Sequence, residues 1–299
     1  MKPAIASAVI AAVIAMAAPA PALAKPGDGP EVEIRHAVAR VAVIVEDRTD
    51  VAVEVEQGTS GLPAIQVSRV GNEVRIDGGL RRNGFFNRGS SIRNCRSGPA
   101  DGQPGAGASV EVHDVGRVNL SDAPLIVIRT PRNVNLDASG AVFGSIGRGA
   151  ASIDLGNGGC GNWNVANTEG PVSLSISGSG DIRAGTSSAL DVSLSGAGTV
   201  TAGATRNLDV SVSGAGDIVI ARIDGPADIS VSGAGDVAIR AGAVPNLSVS
   251  VSGVGDVDFD GVAVDVDVSI SGAGDVSIAR ATGSVDRSVS GVGDIRIGS

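Results

Sequence analysis

The sequence predicts an all-β chain wound as a parallel β-solenoid (β-helix) with about 18–20 residues per coil. Three observations carry this reading. The tetrapeptide Ser-Gly-x-Gly recurs at Ser177, Ser195, Ser213, Ser232, Ser252, Ser271 and Ser290, at intervals of 18, 18, 19, 20, 19 and 19 residues, a period too short for two helices and a turn. Within each copy apolar and small polar residues alternate: Leu208, Val210 and Val212 fall on one side of a strand, Asp209, Ser211 and Ser213 on the other, and Ile218 and Ile220 return inward after the corner. Finally, the 44 glycines lack the period of three that collagen needs, and Val, Ile, Leu and Ala alternate with polar residues throughout, which buries one face of a strand and does not fit a disordered chain. One such repeat cannot bury its apolar side alone, so the copies must stack, at about 4.8 Å per rung.

Taken in chain order, residues 1–24 have a lysine near the start, an apolar run and Ala22-Leu23-Ala24 as a small-residue cleavage pattern, which predicts a signal peptide. No later segment offers the roughly 20 apolar residues of a membrane-spanning helix, so no integral membrane segment is expected after cleavage. Residues 25–79 contain alternating stretches such as "EVEIRHAVARVAVIVEDRTDVAVEVEQG" without the Ser-Gly corner. They are expected to form an irregular N-terminal β cap or the first irregular coils, since an open first rung invites end-to-end growth. Residues 80–109, rich in Gly, Ser and Arg, read as an exposed loop. Residues 110–299 are assigned to the repetitive solenoid. Weaker corners extend the series back through Gly158-Gly-Cys-Gly-Asn162 and Ser139-Gly-Ala-Val-Phe143 to a faint copy at Ser121-Asp-Ala-Pro-Leu125, ten turns in all. The regular winding is expected from about residue 117 onward. At the far end Asp286, Arg287 and Arg296 interrupt the last repeat with charge, which discourages one molecule from stacking on the next.

The Ser-Gly-x-Gly-Asp corners from Ser177 to Asp294, each preceded by a strand such as "DVSLSG", "DVSVSG" or "DISVSG", resemble the bacterial secreted family called the auto-transporter adhesin head GIN domain, from about Glu31 to the end. The resemblance implies an exported β-solenoid with an adhesin-like role and supplies no catalytic residues to carry over.

Charge and cysteine usage bound the chemistry. Net charge is −9, or −10 once Lys2 leaves with the leader, and the chain has one Trp, four Phe and no Tyr. Nucleic acid, which needs basic grooves and stacking platforms, is excluded as a partner. Cys95 and Cys160, in an oxidising compartment and without a CxxC motif, are expected to form one disulfide. The corner aspartates Asp181, Asp217, Asp236, Asp256, Asp275 and Asp294 repel at rung spacing by about 1 kcal/mol per pair in water-like surroundings. Each is read as a solvated corner residue accepting backbone N–H bonds of its turn; a calcium ladder is the alternative, but each aspartate falls one position earlier than in the G-G-x-G-x-D repeat. Arg81, Arg82, Phe85, Phe86, Arg88, Arg93 and Arg96 form the one basic, partly aromatic stretch, a candidate partner-binding loop. Trp163 is expected to fill core space near the disulfide. His36 and His113 are expected to be solvated or hydrogen-bonded strand residues, with no nucleophile motif to complete a triad.

The expected function is a non-catalytic extracytoplasmic scaffold, without cofactor, that binds an envelope, matrix or cell-surface component as a monomer, in the periplasm or outside the cell. A carbohydrate-active β-helix enzyme, lyase or hydrolase, is the alternative. The carboxylates repeat with the fold instead of gathering once, which disfavours it.

Overall fold

A computed structural model describes residues 25–27, 29–82, 89–99 and 102–298; the predicted leader and its cleavage site lie outside them. Among the described residues there is no helix. Alternation of apolar and polar residues becomes a flattened coil with two main parallel sheets. The first sheet stacks residues 133–138, 152–157, 171–176, 189–194, 208–212, 227–231, 247–251, 266–270 and 285–289. The second stacks 141–146, 163–165, 182–184, 200–202, 218–220, 237–239, 257–259, 276–278 and 295–297. Nine coils result.

The inward rows are for the most part columns of apolar side chains. Leu136, Leu155, Leu174, Val192, Val210, Ile229, Val249 and Val268 stand over one another in register and all are buried. The column ends on Arg287, which takes the inward position of the last rung; the charge expected there thus falls on the core row itself. In the second sheet Trp163 occupies the row of Ile182, Val200 and Ile218. Its ring needs room that the neighbouring rung provides by carrying Gly144, where a Cβ would lie 2.3 Å from the ring. Trp163 is wholly buried.

The N-terminal end departs from the winding expected of residues 117 onward. The long strand β1 (Glu31–Val45) forms a complete rung in parallel register with the 133–146 coil, with a bulge at His36. β2 (Ala52–Glu56), β3 (Gln66–Val70) and β4 (Glu73–Asp77) follow. β4 lies parallel to the start of β1, and β3 closes that edge as an antiparallel partner. The chain then passes through short β5 (Arg81–Arg82) and β6 (Gly89–Ser90). β7 (Ile92–Arg96), β8 (Ser109–Val112) and β9 (Gly116–Asn119) make a separate antiparallel sheet. β10 (Leu125–Thr130) returns to the free side of β1, capped by antiparallel β2, and leads into β11 (Asn133–Ile146), which forms the first regular coil. β1 therefore sits between β10 and β11 although it precedes both by some 80 residues or more.

Two expectations are corrected here. Ser121–Leu125 is not a turn of the corner stack, because Ala37 of β1 fills the place beside Gly140, so nine coils and not ten carry the repeat, and regular winding begins at residue 133. Residues 80–109 are not a loop throughout, and 110–119 are not solenoid. Their apolar residues fold inward as a small second core in which Leu80, Ala108, Val110, Val112, Val118 and Leu120 pack with Val38, Ala141 and Phe143. The abundance of Gly and Arg in this stretch conceals a "SVEV" alternation that pairs with β7.

Candidate interaction surfaces

A parallel stack spends its inward rows on packing, so recognition falls to outward features, among them the Ser-Gly-x-Gly corner, the outer face of the first sheet, and the side sheet.

At the corner the glycines are sterically required. The backbone of one rung lies so near the next that a Cβ on Gly216, where φ is +152°, would meet the Gly198 carbonyl oxygen at 1.9 Å. The intervening residue forms its own column, Ala197, Ala215, Ala234, Val254, Ala273 and Val292, exposed along the ridge. Corner serines Ser195 and Ser232 donate to carbonyls one rung back, Ile176 and Val212, at 3.5 and 3.4 Å. The aspartate ladder lies on the other flank and does a related job. Oδ1 of Asp181 accepts the N–H of Thr199 at 3.1 Å, Asp236 that of Asp256 at 2.9 Å, Asp256 that of Asp275 at 2.8 Å, and Asp275 that of Asp294 at 2.9 Å. The partner is thus in the next coil, not in the same turn as the sequence reading has it. Asn162 replaces aspartate in the degenerate corner and accepts from Asp181 N–H in the same way, at 3.2 Å. Bonding to the Asp294 N–H holds the Asp275 carboxyl below its ordinary value, and Arg296, 3.0 Å away, adds to this. Asp217 stands in the same column, exposed. Among the described residues no three His, Cys, Asp or Glu side chains gather as metal ligands.

The outer face of the first sheet carries a second acidic ladder that the corner motif had overshadowed. In register run Asn135, Asp154, Ser173, Asp191, Asp209, Asp228, Ser248, Asp267 and Asp286. Beside it run Asp137, Gly156, Ser175, Ser193, Ser211, Ser230, Ser250, Ser269 and Ser288. No arginine pairs with Asp191, Asp209 or Asp228 among the described residues. Burial, then the charges of Asp191 and Asp228, push the Asp209 carboxyl upward. The signal lay in the strand text itself, where "DVSLSG", "DVSVSG" and "DISVSG" each open on aspartate. Two shallow depressions lie on this face. One, of about 160 Å³, forms where Gly156 and Gly158 interrupt the serine rows between Asp137 and Ser175. The other, of about 250 Å³, spans Asn207, Asp209, Pro226, Asp228, Asn246 and Ser248.

The side sheet is pinned to the corner by the disulfide between Cys95 on β7 and Cys160 (Cα–Cα 6.4 Å). It covers the outward residues Val38, Ala141 and Phe143, so the second sheet is buried on both faces at this end. Arg93 and Arg96 point to solvent from β7. Arg81 and Arg82 lie on β5, while Phe85, Phe86 and Arg88 lie outside the described residues. The basic stretch is tempered by Glu111 of β8, whose carboxyl is lowered by hydrogen bonds from Asn94 and Arg117 and by the charges of Arg117 and Arg96. The histidines are apart from all of this: His36 Nδ1 is 3.5 Å from Asp77, and His113 Nδ1 is 2.7 Å from Asp114.

Comparison with protein families finds one model, described as "Putative auto-transporter adhesin, head GIN domain", matching residues 33–222 and 224–298. No curated protein and no solved structure matches the chain.

Proposed function

The chain belongs to the auto-transporter adhesin head GIN domain family, and from that premise we propose that it is an exported, non-catalytic scaffold whose outward ladders bind a component of the envelope or cell surface. One observation carries the reading. Inward rows are closed along the coils from residue 133 to residue 278 and open only at the last one, while the outward rows of the first sheet hold small polar and acidic side chains in fixed register. The two depressions on that face are open and below the roughly 300–1,000 Å³ of enclosed small-molecule sites. A surface of this kind recognises by repetition: many weak contacts, each repeated about every 4.8 Å, sum to avidity. Export fits the disulfide, which persists only in oxidising surroundings. Among the described residues no helix is long and apolar enough to cross a membrane.

The test immobilises the mature protein and measures capture of envelope fractions from the producing cells. Neutralising Asp191, Asp209 and Asp228 to Asn, or Arg93 and Arg96 to Ser, is expected to lower capture without changing the melting transition by more than a few degrees. Capture that ignores both sets, or turnover of an acidic polysaccharide by the purified protein, refutes the proposal.

A further inference from the structure

The two ends of the stack are finished differently. At the head, the outer side of β1 is covered by β10 and β4, and these are closed in turn by antiparallel β2 and β3. At the tail, residues 285–289 pair only with 266–270, and 295–297 only with 276–278. Among the described residues no strand lies on their forward edges. What those edges offer follows from the rungs before them. Inward residues bond forward: Val266 donates its N–H to the Ser284 carbonyl and Val276 to the Asp294 carbonyl, both at 2.9 Å, and the Ile270 carbonyl accepts the Ser290 N–H at 2.8 Å. By the same alternation the N–H and C=O groups of Val285, Arg287 and Val289 point forward with no next rung to meet. A row of free donors and acceptors at every second residue is a template for another extended backbone.

The side chains of this edge decide which backbone fits. Val285, Ile295 and Ile297 are only partly buried, and Val289 is 47% exposed. Between Val285 and Val289 stands Arg287, in the column that Val249 and Val268 occupy in the two coils before it. It is exposed and forms no ion pair among the described residues. A strand laid on this rung places its own inward residue over Arg287. An apolar residue there would bury the guanidinium unpaired, whereas a carboxylate would pair with it as both leave water. The edge strands of this chain lack that carboxylate. β2 turns Val53 and Val55 inward, beside Ile128 and Ile126, and Glu54 and Glu56 outward; β3 sets Val67 and Arg69 beside Ile76 and Val74. The tail itself offers only Arg287 and its apolar neighbours. A second copy, approaching by head or by tail, brings no acid to this position.

We propose that the open tail rung is a docking edge for an extended strand of a partner protein, which pairs with the backbone of residues 285–289 and sets an aspartate or glutamate over Arg287. Apolar residues two positions to either side of that acid cover Val285 and Val289. The charge that keeps copies of this chain from stacking is thus the charge that selects the partner. Backbone bonds supply the attachment, and the residue over Arg287 supplies the specificity. This goes beyond the ladder-binding reading, because it uses the end of the solenoid and not its outer faces.

The probe is a labelled peptide, Asn-Leu-Ser-Glu-Ser-Val-Ser, which is the text of residues 246–252 with glutamate in place of Val249, titrated with the full mature protein by fluorescence anisotropy. Saturable binding is expected, at least tenfold tighter than for the same peptide with the native valine or with lysine at the centre. Arg287→Glu should invert the order, so that the lysine peptide binds and the glutamate peptide does not. Methylating every backbone nitrogen of the glutamate peptide keeps its side chains and should abolish binding. Arg93→Ser with Arg96→Ser, the basic pair on the side sheet, should change binding less than twofold. All substituted side chains are exposed, and a melting curve of each variant verifies its fold. Absence of saturable binding, equal binding of the three peptides, equal loss from the Arg93 and Arg96 pair, or binding that survives Arg287→Glu or backbone methylation overturns the proposal. Sedimentation velocity of the protein alone is expected to be the same for wild type and Arg287→Glu; a dimer that the substitution dissolves puts a second copy on this edge and overturns the partner reading.

Discussion

Replacing Gly216 by alanine tests the stacking principle at its tightest point. The added methyl would sit 1.9 Å from the Gly198 carbonyl oxygen and 2.9 Å from the Gly198 nitrogen and carbonyl carbon, all backbone atoms of the rung behind. Even the shortest ordinary C···O contact is about 3.3 Å, so the rungs must part locally by roughly 1.4 Å. The bonds at risk are Ala215 N–H to Gly196 O at 2.8 Å and Gly216 N–H to Ala234 O at 3.1 Å. Losing them costs about 1 kcal/mol each, and groups left unsatisfied cost about 1–3 kcal/mol more. Holding alanine at the glycine's φ of +152° adds roughly 1–3 kcal/mol. The sum is about 4 kcal/mol or more, a large part of the roughly 5–15 kcal/mol that stabilises a folded domain. Urea unfolding followed by far-UV circular dichroism measures it, with hydrogen exchange locating the loosened rungs between residues 196 and 236. The neighbouring Ala215→Ser, on the exposed ridge, serves as control and should be neutral within about 0.5 kcal/mol. A Gly216→Ala protein within about 1 kcal/mol of wild type would refute close backbone approach as the reason for the glycine corner.

Three further outcomes follow from the same geometry. Cys95→Ser opens a disulfide that spans 65 residues, which the chain-entropy estimate puts at about 4 kcal/mol as an upper figure; denaturation with and without reductant should show it in wild type and not in the variant. Trp163→Ala empties a wholly buried site facing Gly144 and should cost about 3–5 kcal/mol, read from the unfolding midpoint. Two aspartates should respond to acid with opposite sign. The Asp275 carboxyl is lowered in the fold, so its contribution is present above the unfolded value and lost as pH falls through the folded one; Asp275→Asn should flatten that part of the acid limb. The Asp209 carboxyl is raised, so its ionised form opposes folding at neutral pH and the penalty disappears as pH falls through the folded value. Asp209→Asn should therefore melt higher than wild type at pH 7 and converge with it in acid.

The regular coils were legible because their constraint is local and repeated. Each inward column, such as Val134, Ile153, Val172 and Leu190, is spelled at the same offset from the next Ser-Gly corner. The N-terminal rung was not, because register between β1 and β11 joins residues about 100 positions apart and carries no Ser-Gly corner. His36, at φ +49°, opens a bulge where the later coils use glycine, so the text of that corner differs even though its place in the stack is the same. The side sheet was concealed for another reason. Its strands bury residues against the outer surface of the solenoid, and Ala141 and Phe143, which look outward by alternation, are buried only because that sheet arrives. Alternation within one segment cannot reveal a cover supplied by another. The acidic row of the first sheet was written in every "DVSVSG" but was outshone by the more conspicuous corner aspartates.

The two aspartate ladders show why the less conspicuous one is better suited to recognition. At the corner, Asp181, Asp236, Asp256 and Asp275 each give one oxygen to an N–H of the next coil, so those carboxylates complete the backbone bonding where the sheet turns. Substituting them acts first on the fold. On the first sheet, Asp209 has no such internal employment: its backbone is already bonded within the parallel ladder, and its side chain faces solvent between two like charges. An ionised group that the fold holds at a cost, and that its neighbours make worse, gains more from an external cation than one already satisfied within the chain. Neutralising the corner row should therefore lower stability before it lowers binding, and neutralising the sheet row should raise stability while binding falls.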